Sequence, residues 1–117
     1  MTIKLLLKYC LEKDGAYIDH PFGIEYPVVK IKSSSGKSAR IFAEFYNLDG
    51  RDIMTFSTDD DTAVSLRMEF PNTVVRGWHC PPVQAKYKST VYIADMSDDL
   101  LMWFVDMSYN RAVSKLK

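Results

Sequence analysis

A chain of 117 residues has room for one hydrophobic core, so a single domain over 1–117 is expected. Hydrophobic residues at 47% and charged residues at 26% exclude a disordered chain. With 15 basic against 15 acidic residues, the strongly basic balance of a dedicated polyanion binder is excluded too.

In chain order, Thr2 is placed to cap a helix reaching about Asp14, with Gly15 as its stop. Ile3, Leu6, Leu7, Cys10 and Leu11 recur at helical spacing and predict one buried face. The start Ile3–Lys8 is too short and too charged for a signal segment or a membrane span. A cytoplasmic protein with no membrane partner is therefore expected, with Cys10 and Cys80 reduced rather than bridged. Residues 16–26 carry His20-Pro21-Phe22-Gly23 and read as an irregular loop. Strands follow at 28–32, 39–46 and 51–57, separated by the hairpin signals Ser33-Ser34-Ser35-Gly36-Lys37 and Asp49-Gly50. Ser57 or Thr58 is the expected cap of a second helix, with Asp59, Asp60 and Asp61 in its first turn and Pro71 as its stop. A short extended piece at 73–76, a loop through Pro81-Pro82, a strand near 87–94 and a helix over 98–116 capped by Ser97 complete the chain. The order α-β-β-β-α-β-β-α, with hairpins between early strands, predicts a two-layer α+β fold. Its sheet should be mainly antiparallel, with helices on one face.

Four short stretches carry a family resemblance. They are His20-Pro21-Phe22-Gly23; Phe70-Pro71 with Arg76-Gly77-Trp78-His79; Ser89-Thr90-Val91; and Ser108-Tyr109 with Leu116. In that order they resemble the MmcQ/YjbR family. The resemblance implies a secretion-chaperone-like α+β fold, no enzymatic activity, no cofactor and a DNA-binding role. Where the family commonly reads Met-Asn-Lys and then His-Trp, this chain has Cys80-Pro81-Pro82 and Tyr87-Lys88, a neutral loop stiffened by proline.

Charge is sorted along the chain. Lys30, Lys32, Lys37 and Arg40 have no acid among them, nor do Arg76, Lys86 and Lys88, while acids gather at 49–61 and 95–106. Strand alternation places Val29, Ile31, Ile41, Ala43, Phe45, Val91 and Ile93 toward the helices. Lys30, Lys32, Arg40, Phe42, Lys88, Thr90 and Tyr92 then share an open face. Cations mixed with aromatic rings suit single-stranded nucleic acid or DNA, with Lys30, Lys32, Arg40, Arg76, Lys86 and Lys88 as the candidate set. Lysines and threonines that merely solvate a sheet face fit the same pattern, and on pattern alone that plainer reading leads.

Other constellations carry less. His20, His79, Cys10 and Cys80 lack ligand spacing, so no metal is expected. Cys80 beside His79 has no orienting third residue, and no catalytic residue is expected. The run 100–105 is apolar nearly all round, which burial explains unless Trp103 marks a homodimer or partner face. A pocket beneath the Pro-Phe-Gly loop involving Phe22, Trp78 and His79 is a further candidate. The leading expectation is a non-enzymatic binding module, and the alternative is a protein-interaction or chaperone-like adaptor using the last helix.

Overall fold

The computed structural model describes residues 1–116. Thr2 caps α1 (Ile3–Leu11) by accepting the Leu5 N–H at 3.2 Å. The helix ends three residues short of its predicted end at about Asp14. It buries Leu6 and Cys10, while Leu11 stays exposed, so its apolar stripe is narrower than the periodicity suggested.

The predicted loop that follows contains a strand, β1 (Ala16–Asp19), paired antiparallel with β2 (Val28–Lys32). Four residues between Gly15 and His20-Pro21 are too few for alternation to show; pairing supplies what periodicity could not. β3 (Ala39–Leu48) and β4 (Arg51–Ser57) are joined at Asp49-Gly50, both at positive φ (52° and 88°), the primed hairpin turn that an Asp-Gly pair favours.

α2 (Asp60–Glu69) is capped by Asp59, not by Ser57 or Thr58. The Asp59 carboxylate accepts from the Thr62 N–H at 2.8 Å and the Thr62 hydroxyl at 2.9 Å, and this bonding holds it below the usual carboxylate range. Thr58 is instead buried, its N–H donating to the Tyr87 carbonyl at 2.9 Å. β5 (Val74–Arg76), β6 (Lys88–Tyr92) and α3 (Asp98–Lys115), the last capped by Ser97, complete the chain.

The sheet order is β1-β2-β3-β4-β6-β5, and every neighbouring pair is antiparallel. The α+β architecture is thus the one expected. Val29, Ala43, Phe45, Met54, Phe56 and Val91 meet Leu6, Leu66, Leu101, Phe104 and Val105 in the core, where Phe56 and Phe104 stack at 4.6 Å. Burial therefore accounts for most of the apolar run in α3. Trp103 remains 47% exposed.

A bulge reverses part of the predicted facing. Val29 opposes Ala43 but Lys30 opposes Ile41, so Phe42 is the extra residue and strict alternation fails there. Phe42 turns into the core at 2% exposure, edge-on to Tyr109 at 5.2 Å, and Ile41 emerges beside Lys30. Arg40, opposite Ile31, leaves from the helix side rather than the face of Lys30. Nor is the second face open. Thr90 is 2% exposed, because the loops at 20–27 and 77–87 lie over the middle of the sheet.

One further irregularity shapes the site. The β3–β4 ladder runs from Leu48–Arg51 to Glu44–Thr55 and stops, while the start of β3 stays with β2. In the resulting fork the Ser108 hydroxyl of α3 bridges the strands. It donates to the Phe42 carbonyl at 2.6 Å and accepts from the Ser57 N–H at 2.9 Å. A side chain replaces a ladder bond that the bulge forbids.

Candidate functional site

The fork holds a pocket of about 320 Å³ lined by Lys30, Arg40, Lys88, Arg111 and Lys115, with Ser57, Gln84 and Tyr87, and none of the described acidic residues lines it. Two of these cations are partnered from outside. Lys30 Nζ meets Asp19 at 2.7 Å, and Lys88 Nζ meets Glu44 at 3.2 Å. Acids distant in sequence thus neutralise cations that looked unpaired in the chain. Arg40, Arg111 and Lys115 have no acidic partner among the described residues. Arg111 lies over the Tyr87 ring at 4.2 Å, an arrangement that orders the guanidinium while leaving its charge available.

Of the six cations predicted from sequence, Lys30, Arg40 and Lys88 come together here. Lys32 instead lies over Tyr17 at 5.0 Å, Arg76 donates to the Cys80 carbonyl at 3.1 Å, and Lys86 is exposed outside the pocket. Arg111 and Lys115 escaped the sequence reading. Ser108, Arg111, Ala112 and Lys115 fall at i, i+3, i+4 and i+7, one stripe of α3, and that periodicity was the available signal.

The start of β6 is pinned from α2. Arg67 donates to the Lys88 carbonyl and, at 3.1 Å, to the Ser89 hydroxyl; burial lowers its pKa from the ordinary arginine value. Lys88 is thereby held at the boundary of a second, larger cavity.

That cavity, about 670 Å³, lies between the two covering loops. Phe22, Trp78 and His79, grouped from sequence as a possible pocket, all line it, joined by Tyr26, Tyr46 and Glu44, which sequence did not single out. Tyr46 and Trp78 stack at 4.8 Å and 14°, Tyr26 and Trp78 at 5.9 Å and 22°, and Phe22 stands edge-on to Tyr26 at 5.3 Å. The scaffold is bonded as well as packed. The Trp78 N–H donates to the Thr90 hydroxyl at 2.8 Å, which itself pairs with the Thr55 hydroxyl at 2.7 Å. The Tyr26 hydroxyl donates to Glu44 at 3.2 Å, and burial together with that carboxylate raises the phenol's pKa. His79 sits at φ 55°, a left-handed conformation uncommon outside glycine, with its ring 4.1 Å from Trp78.

The two cavities share Ile41, Gln84 and Lys88. Together they form one composite site, basic at the fork and aromatic beneath the loops. Cys10 and Cys80 are both buried free thiols. Among the described residues no three His, Cys, Asp or Glu side chains gather as a metal site, and no helix is long and apolar enough to cross a membrane.

The fold and site define a small α+β domain with a fully antiparallel six-stranded sheet, a basic pocket where α3 crosses the β3–β4 fork and an aromatic cavity beneath the covering loops. No protein-family model and no curated protein matches the chain. Among solved structures it is similar to Deinococcus radiodurans protein DR2400, described by the family model DUF419. The TM-score is 0.84 at 23% identity, over 97% of this chain and 80% of that one. It is also similar to a Pseudomonas syringae protein, Northeast Structural Genomics Consortium target PsR293. That match has a TM-score of 0.76 at 15% identity, over 96% of this chain and 99% of that one. At these identities the likeness establishes the fold alone.

Proposed function

We propose that this chain is a non-enzymatic, cytoplasmic binding module of the MmcQ/YjbR type that holds nucleic acid by its phosphates. One observation carries the reading. Among the described residues, Arg40, Arg111 and Lys115 have no acidic partner, and they converge with Lys30 and Lys88 on a concave site that none of the described acidic residues lines. The overall neutrality of the chain does not oppose this, because phosphate contacts depend on local charge. The likeness to DR2400 supports the fold part of the reading.

Three phosphate contacts to a single strand correspond to a log–log salt slope of about −2, or roughly a 20-fold loss of affinity between 50 and 200 mM salt. Fluorescence anisotropy with labelled oligonucleotides measures this directly. The informative variant is Arg40→Glu with Arg111→Glu, since Lys30 and Lys88 also hold ion pairs within the fold. Absence of binding at 50 mM salt, or binding indifferent both to salt and to that double substitution, rejects the proposal.

A second reading rests on Trp103, which remains 47% exposed on α3, where Val113 is also exposed. It makes α3 the contact face of a homodimer or a protein-interaction adaptor. Size-exclusion chromatography with light scattering decides it. A concentration-dependent dimer lost in Trp103→Glu supports the homodimer, and a strict monomer at every concentration refutes that form of the reading.

A further inference from the structure

We infer that the nucleic acid is bound as a single strand, with one unpaired base entering the aromatic cavity while its phosphates lie in the basic fork. This rests on the phosphate-binding reading and adds the part of the ligand that the cations do not touch. The two cavities are contiguous through Ile41, Gln84 and Lys88, so charge and aromatic surface are presented side by side to one ligand. At about 670 Å³ the aromatic part falls in the size range of small-ligand sites, roughly 300–1,000 Å³. A base stacked inside a duplex cannot reach between the two loops, whereas an unpaired base can.

The walls suit a flat ring. Phe22 is 63% exposed on one loop, and the exposed His79 ring faces solvent from the other. His79 holds a left-handed backbone conformation with its ring against Trp78, a local cost that surrounding structure must offset. Behind these rings, Trp78 is already stacked on Tyr46 and Tyr26, with the Trp78 backbone N–H held by Thr90 and the Tyr26 hydroxyl by Glu44. The inner layer is therefore rigid before any ligand arrives, which reduces the ordering cost of binding. At the junction, the Gln84 side-chain amide has no partner among the described residues, leaving a donor and an acceptor for a base edge or a sugar.

The test compares five probes by anisotropy at 50 mM salt: a 12-nucleotide deoxy-strand, its ribo-equivalent, the deoxy-strand's duplex, an abasic strand of the same length, and a mononucleotide. Either single strand with bases is expected to bind at least tenfold more tightly than the duplex and the abasic strand. Phe22→Ala should weaken binding of the base-bearing strand by about 5- to 150-fold, the worth of one stacked base, and leave the abasic strand unchanged. Phe22 is exposed, so the variant should fold. His79→Ala gives an independent second wall, and Trp78 fluorescence in a Trp103→Phe background reports base contact directly. Equal binding of abasic and base-bearing strands, with Phe22→Ala neutral, overturns the inference and leaves the phosphate reading standing. A mononucleotide that binds as tightly as the strand also overturns it, pointing to a free nucleotide. Failure of every oligonucleotide to bind overturns both.

Discussion

Replacing Ser108 with Ala removes one hydroxyl and leaves one buried and one half-buried backbone group without that partner. The Phe42 carbonyl loses its 2.6 Å donor and the Ser57 N–H its 2.9 Å acceptor, at the point where the β3–β4 ladder has already ended. An unsatisfied buried group costs about 1–3 kcal/mol. Ser57 is only half-buried and can recruit water, whereas the Phe42 carbonyl lies beside a core side chain. A total of about 2–4 kcal/mol is expected, a large share of the 5–15 kcal/mol by which domains of this size are usually stable. Urea unfolding followed by circular dichroism should show a lower midpoint with an unchanged m-value, and Tm should fall by roughly 10 °C. A loss below about 0.5 kcal/mol would mean that the strands meet without help from α3, and the account of the fork would be wrong.

Lys88→Met leaves the Glu44 carboxylate buried with only the Tyr26 hydroxyl, and should cost about 2–3 kcal/mol. The double variant with Glu44→Gln should recover more than about 1 kcal/mol relative to the sum of the single changes; simple additivity argues against the pair. Gly77→Ala places a Cβ 3.0 Å from Lys88 Cγ and 3.1 Å from Cys80 Sγ, a crowding expected to cost about 1–3 kcal/mol and to shift Trp78 emission. An unshifted spectrum at full stability refutes that contact.

Stability should also fall in alkali. Burial pushes the Cys10 thiol up to about 12 and, with Glu44, raises the Tyr26 phenol, while the hydrogen bond to Asp106 raises Tyr9. The folded state holds these protons more tightly than the unfolded chain. Their stabilisation is complete below the unfolded values, 9.0 for the thiol and 10.0 for the phenols, and is lost as pH rises through the folded ones. A urea midpoint unchanged from pH 8 to pH 11 contradicts this, and Cys10→Ala should make the decline shallower.

What sequence determined was local. Thr2 and Ser97 as caps, Asp49-Gly50 as a turn, and the order of helices and hairpins rest on backbone chemistry within a few residues, and all appear in the structure. Phe22, Trp78 and His79 could be grouped because turn formers mark the loops that carry them, and both loops line one cavity. The basic site could not be read in the same way. Lys30, Arg40 and Lys88 were visible as cations, but strict alternation assumed an unbroken register, and one extra residue at Phe42 moved Phe42 into the core, brought Ile41 outward and opened the fork. Arg111 and Lys115 lie some seventy residues from Arg40 in the chain and join it only because α3 crosses that fork. Pairing with Asp19 and Glu44 likewise decided which cations stayed without an acidic partner. Coulomb interactions act through space over a few ångströms, so a run of like charge in sequence sets only the candidates, and the tertiary fold selects which of them remain unneutralised.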